Sequence, residues 1–275
     1  MLDDQVEEVV ASAPRATVSP ETSEHRALAI NRWMPLLLIS LGTLVWSADA
    51  SVFSVLLPDI QKSLRLGLST VGLLGALFTA AQLVEPAVAY AADRIRRTAI
   101  LVAELTILAI CTALAAVAGW LGSLSLLYVS RGGVGLGNSV RSTRLSLLAD
   151  YHPPQSRAVA FYALNFPQIF GQLIGPVVAG VVAVRLGWEA PFIILAVASL
   201  AMAGIVAAAL REPARGRFEL QPSGQAAPAP GFRRSVQLIL SRPSMRWFYF
   251  LLPVGLISLL VMMSFSPISS AKCSR

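Results

Sequence analysis

Two residues stand where a charge is costly unless it is paired or used. Asp49 lies in GTLVWSADASVFSVLLPDI and Arg131 in SRGGVGLGNS, each about eight residues inside an otherwise apolar run. At a helical rise of about 1.5 Å per residue, each sits roughly 12 Å below the outer end of its helix. An acid and a base at one depth can pair, and pairing lowers the cost of burying either. Ionisable groups inside a membrane often mark ion or proton pathways, so Asp49 and Arg131 are candidates for proton or ion coupling. The competing reading is a bridge that only joins two helices. Gly42, Trp46, Asp49 and Phe53 recur on one helical face. Asn165, Gln168 and Gln172 fall at i, i+3 and i+7, a polar stripe on another. Trp46, Phe53, Asn138, Asn165, Gln168 and Gln172 are therefore candidate cavity-lining residues, with polar contacts between helices as the alternative for the amides.

Deeper in the second apolar run is Glu85, about 22 Å from the outer face by the same rise. Arg141 and Arg144 lie deeper still in the fourth run. A Glu85–Arg141 pair is expected, a buried charge of unknown role. The glycines of RGGVGLGNS resemble a nucleotide loop only superficially, because no strand precedes them and no βαβ unit surrounds them. Gly133 and Gly137 are better read as a close-packing face. His25 and His152 both lie outside the apolar runs and no nucleophile–base spacing appears, so the sequence makes no case for an enzyme. Nor does it point to a metal or a cofactor.

These residues need membrane helices to position them. Hydrophobic residues make up 55% of the 275 and charged residues 13%, where a soluble domain carries about a quarter charged. Seven runs approach the roughly 20 residues needed to span a bilayer, at about 33–57, 70–92, 99–119, 123–149, 158–184, 189–210 and 246–267. The fold class is therefore an all-α membrane protein. Residues 1–32 read as a disordered cytoplasmic tail, 33–210 as a six-helix bundle, 211–245 as a linker rich in Pro, Gly and Ala, 246–267 as a seventh span and 268–275 as a tail. Placing the N-terminus inside gathers Arg94, Arg96, Arg97, Arg157, Arg211, Arg215, Arg217, Arg233, Arg234, Arg242 and Arg246 in or beside inner loops. The outer loops keep only Lys62, Arg65 and Arg185, as the positive-inside rule expects. This asymmetry accounts for the net charge of +7 without nucleic acid. The expected setting is the inner (plasma) membrane, with a multi-pass chain in a lipid bilayer.

Three motifs then carry a resemblance. AYAADRIRRTAIL follows the second run, Arg131 and Gly135 form an RxxxG pattern, and GQLIGPVVAG holds Gly171, Gly175, Pro176 and Gly180. Together with the span plan they resemble the N-terminal half, plus one helix, of a major facilitator superfamily transporter. The resemblance assigns Asp93, Arg94 and Arg97 to the family's signature loop and the fifth-run glycines to its antiporter motif. DASVFSVLLPDIQ, RGGVGLGNSVRSTRLSLLADYHPPQSRAVAFY and REPARGRFE bring the chain nearest to the spinster-like branch. That branch commonly has Arg after the first-helix Asp and Glu seven residues after the fourth-helix Arg, where this chain has Ala50 and Asn138. The resemblance implies secondary transport of a small organic or amphiphilic solute, linked to protons. The chain ends in SFSPISSAKCSR just after the seventh run, which reads as a truncated transporter. Alternating access needs two halves, so a homodimer or a missing C-terminal half is the expected partner. The alternative is a half-protein that does not transport and only dimerises or binds partners or lipids.

Overall fold

A computed structural model describes residues 33–215, together with Phe218 and six scattered positions between 237 and 251. Contacts divide the chain into two units, Met1–Glu219 and Leu220–Arg275, and the bundle lies wholly in the first. Every regular element among the described residues is a helix, with no strand among them. In order they form α1 (Trp33–Leu64), α2 (Leu68–Ala81), α3 (Glu85–Ala92), α4 (Arg97–Leu121), α5 (Leu124–Asn138), α6 (Arg141–Tyr151), α7 (Pro154–Ala163), α8 (Asn165–Leu186) and α9 (Ala190–Ala209).

Several helices are one span with an interruption, and the sequence supplies the cause. Between α2 and α3 a 3₁₀ turn covers Gln82–Val84. Pro86 follows it and has no N–H for the carbonyl four residues back. Pro167 does the same to Ala163, where α7 gives way to α8. Joined in this way, Leu68–Ala92 and Pro154–Leu186 are long and apolar enough to cross a bilayer, as are Trp33–Leu64, Arg97–Leu121 and Ala190–Ala209. The fourth expected span differs. It is split into α5 and α6 by Ser139 and Val140, whose N–H groups reach back only three residues, to Leu136 and Gly137. The tight turn after α4 is closed by Gly122 at φ 63°, with Ser123 N–H donating to Ala118 C=O and Gly122 N–H to Gly119 C=O. Such a left-handed helix end favours glycine. The expected seventh span, most of the linker and both tails lie almost wholly outside the described residues.

In the bundle α1 packs chiefly on α8, α4 on α9 and α5, and α2 on α5. The core has three layers. Leu36, Ile39, Leu101, Leu105, Leu147 and Val206 fill the basic end, which carries the 93–97 loop. Val52, Leu56, Ile60, Ala115, Leu127 and Phe192 fill the opposite end. Trp46, Leu108, Cys111 and Val134 form a small central cluster. Of the buried charges, Asp49, Arg131, Glu104 and Arg144 lie around that central layer, and Arg97 and Asp150 lie at the basic end.

A candidate functional site between two buried ion pairs

Asp49 and Arg131, matched in depth by sequence, meet inside the bundle. Asp49 on α1 is 0% exposed and Arg131 on α5 is 2% exposed. Arg131 Nη2 lies 3.9 Å from Asp49 Oδ2, and Thr112 of α4 donates to Asp49 Oδ1 at 2.8 Å. The guanidinium also sits 4.1 Å over the Phe53 ring and 6.0 Å from that of Phe192. Asp49 Oδ2 and Arg131 Nε have no hydrogen-bond partner. Burial at this depth strengthens the attraction but leaves both groups short of hydrogen bonds, so the pair is held loosely rather than locked. Chemically it offers a carboxylate oxygen free to take a proton, beside a cation with an aromatic face to rest on.

A second buried pair lies nearer the basic end. Glu104 of α4 contacts Arg144 of α6 through Arg144 Nη2 and Glu104 Oε1, with Arg144 Nε donating to Oε2 at 3.3 Å. Glu104 is 3% and Arg144 7% exposed. Sequence reading noted Arg144 and missed Glu104. The signal was present: Glu104 is the lone acid in the 25-residue helix α4, and an intramembrane carboxylate is itself a site hypothesis.

The expected Glu85–Arg141 pair does not form. Arg141 is exposed and Glu85 only half-buried, and no ion pair joins them among the described residues. Depth alone was matched there; the break at Ser139–Val140 resets the rotation of α6, so Arg144 rather than Arg141 turns inward.

Trp46, expected to line a cavity, is instead packed in the central cluster, and its Nε1 has no hydrogen-bond partner. Its ring lies 5.7 Å from the Arg144 guanidinium. Phe53 is half-buried beside Arg131. Asn138 donates to Gln82 Oε1 at 2.6 Å and so ties α5 to the turn after α2. At the same crossing Gly135 faces the Phe78 carbonyl so closely that a Cβ would come within 2.9 Å of Ala81 Cβ. On α8, Asn165 and Gln172 are exposed and Gln168 is half-buried. Gly171 and Gly175 press against Ser47 and Ala48 of α1, whereas Gly180 meets nothing within 4 Å and Pro176 is half-buried. Two of the four motif residues on α8 therefore serve close helix contact.

At the basic end Arg97 is buried on Asp150, and Arg94 stacks 3.6 Å over Tyr90. Asp93 is exposed, and its backbone carbonyl accepts from Arg215. Glu212 accepts from the N–H groups of Arg97 at 3.1 Å and Thr98 at 2.9 Å, and from Thr98 Oγ1 at 2.8 Å. This acid caps the positive end of α4. Arg215 donates to the carbonyls of Ala92 and Ile95, capping α3. Tyr151 donates to the Arg211 carbonyl. Residues 211–215 are thus strapped to the bundle rather than opening the linker. Burial would raise the Glu212 carboxyl, but the hydrogen bonds from Thr98 and Arg97 outweigh it and hold it below its usual range.

The family model described as Major Facilitator Superfamily matches residues 39–271. The chain belongs to the major facilitator superfamily. Among solved members, it is similar to a bacterial homologue of the human lysosomal transporter Spinster. The inward-facing, occupied structure of that homologue matches at 27% identity and a TM-score of 0.60, covering 69% of this chain and 46% of that one. Its inward-facing, unoccupied structure matches at 25% identity and a TM-score of 0.65, covering 86% and 54%. The chain thus spans about half the length of these solved relatives. No curated protein matches it. Within the superfamily frame, the two departures from the spinster-like pattern are apolar or neutral in their contacts: Ala50 packs on the central cluster and Asn138 bonds Gln82.

Proposed function

We propose that this chain supplies the N-terminal half of a proton-linked secondary transporter for a small organic or amphiphilic solute. It would sit in the inner (plasma) membrane with its basic end in the cytoplasm. The observation that carries the reading is the Asp49–Arg131 pair, buried in a superfamily bundle with one carboxylate oxygen unbonded. In this role Asp49 takes up and releases the proton. Arg131 balances the carboxylate and, when Asp49 is protonated, rests on Phe53. Thr112 orients the carboxylate so that Oδ2 is the oxygen left available. The exposed amides of α8, Asn165 and Gln172, would face solute once a second half or a second copy closes the cavity. An antiport direction fits the motif on α8.

The test is flux in vesicles, with and without a pH gradient, from the chain alone and from the chain co-expressed with a second superfamily half. Gradient-driven flux that Asp49→Asn abolishes is the expected result. Flux indifferent to Asp49→Asn overturns the assignment of Asp49. Absence of flux in every arrangement favours a half-protein that dimerises or binds partners or lipids.

A further inference from the structure

The two ion pairs are stacked along the bundle with an apolar plug between them. Glu104 precedes Thr112 by eight residues on α4, so the pairs are separated by roughly 12 Å along that helix. Trp46, Leu108, Cys111 and Val134 fill the gap. Each arginine touches a carboxylate and an aromatic ring of α1: Arg131 has Asp49 and Phe53, and Arg144 has Glu104 and Trp46. Trp46 is 8% exposed and its indole N–H is unpartnered. Gly137 of α5 faces both residues, since a Cβ there would make ordinary contact 3.8 Å from Glu104 Cγ and 3.9 Å from Trp46 Nε1. Beside Glu104 and Arg144 is a cavity of about 20 Å³, bounded also by Leu38, Thr43, Leu101 and Val206. That is room for about one water.

We propose that Glu104, Arg144 and Trp46 form a second, proton-operated site that gates water access from the basic end to Asp49. A proton arriving from water at the basic end converts the Glu104 carboxylate to its acid. Arg144 keeps its charge, gives up the ion pair and moves onto the Trp46 ring, which draws Trp46 out of the plug. Loss of that proton restores the pair and reseals the plug. Around Glu104, Arg144 of α6 is the facing charge. α1 presents Thr43 and Trp46 there, α5 presents Gly137 and α9 presents Val206. Arg97 lies seven residues away on α4 itself and is occupied by Asp150. Asp49 and Arg131 lie beyond the plug. The gate has a purpose only if Asp49 carries the transported proton, so in that respect it rests on the function proposed above.

Cys111 lies in the plug and reports on it directly, without any need for transport. In a Cys273→Ser background the full chain is placed in nanodiscs and treated with a small, charged methanethiosulfonate. The labelling rate of Cys111 is read from pH 8 down to about pH 4, through the ordinary carboxylate range, as a ratio to Glu104→Gln at each pH, which cancels the thiolate fraction. The gate predicts a ratio well below 0.1 at pH 8 that climbs toward 1 on acidification. Trp46→Ala should label rapidly at every pH. Glu104→Gln/Arg144→Met removes both charges and guards against misfolding from a lone buried arginine; its labelling relative to Glu104→Gln should not vary with pH. A wild-type ratio that stays flat with pH, or Glu104→Gln labelling no faster than wild type at pH 8, overturns the proposal. Asp49→Asn, read as a ratio to Asp49→Asn/Glu104→Gln, should leave the labelling profile in place, so failure of the proton role of Asp49 and failure of the gate give different results.

Discussion

The two buried ion pairs use the same parts to different ends. Glu104 and Arg144 meet at two points, with both carboxylate oxygens engaged. Asp49 meets Arg131 at one long contact, and Thr112 holds only its other oxygen. A two-point guanidinium–carboxylate fork fixes geometry, and a proton on the carboxylate breaks both contacts at once. A single long contact with an unbonded oxygen leaves a carboxylate ready to change protonation state. The difference assigns the labile role to Asp49 and the latch to Glu104, although both sit at almost complete burial. In a low-dielectric interior it is hydrogen-bond count, more than depth, that separates a carboxylate with an oxygen open to a proton from one whose pair a proton must unlatch.

The strongest way to break this contrast is to remove each arginine. Arg144→Ala should destabilise the bundle by about 3–5 kcal/mol, because it leaves a buried carboxylate uncompensated. Arg131→Ala should cost measurably less, and chemical unfolding in detergent would compare them. Equal costs would dissolve the distinction between latch and labile pair. Glu104→Gln/Arg144→Met should recover most of the loss, since neither charge is then left alone. Next in size, Thr112→Val should cost about 1.5–3 kcal/mol, the range for a hydrogen bond to a charged group. That loss should vanish in an Asp49→Asn background, a double-mutant cycle that sharpens the role of the threonine.

The strap at the basic end gives a smaller, pH-dependent effect. Glu212→Ala should cost about 1 kcal/mol through loss of the α4 cap. The folded Glu212 carboxyl lies below its usual range, so this contribution is fully present above about pH 5 and fades as pH falls below about 4. Stability curves of wild type and Glu212→Ala should therefore converge in acid. Smallest of all, Trp46→Phe should change stability by less than about 1 kcal/mol: the ring remains for Arg144, and the N–H that is lost has no partner to leave unsatisfied.

Much of this arrangement was legible beforehand, and the exceptions share one cause. Asp49 and Arg131 were found because a rise per residue converts sequence position to depth, and both elements run uninterrupted from the outer end to the charge. Glu85–Arg141 failed by the same arithmetic, since depth says nothing of rotation and the break at Ser139–Val140 lies between Arg131 and Arg141. Gly171 and Gly175 were legible as a motif, but only packing showed that they, and not Gly180, meet α1.

From sequence alone came the all-α membrane class, five of the six spans along the bundle, the superfamily motifs and the depth of one ion pair. These depend on hydropathy and helical rise, which are local properties of the chain. The tertiary structure alone decided which side chains face one another: Glu104 with Arg144, Trp46 against Arg144, and Glu212 on the first turn of α4. Those pairings depend on how each helix is rotated and where it is broken, and that is set by packing between segments far apart in the chain.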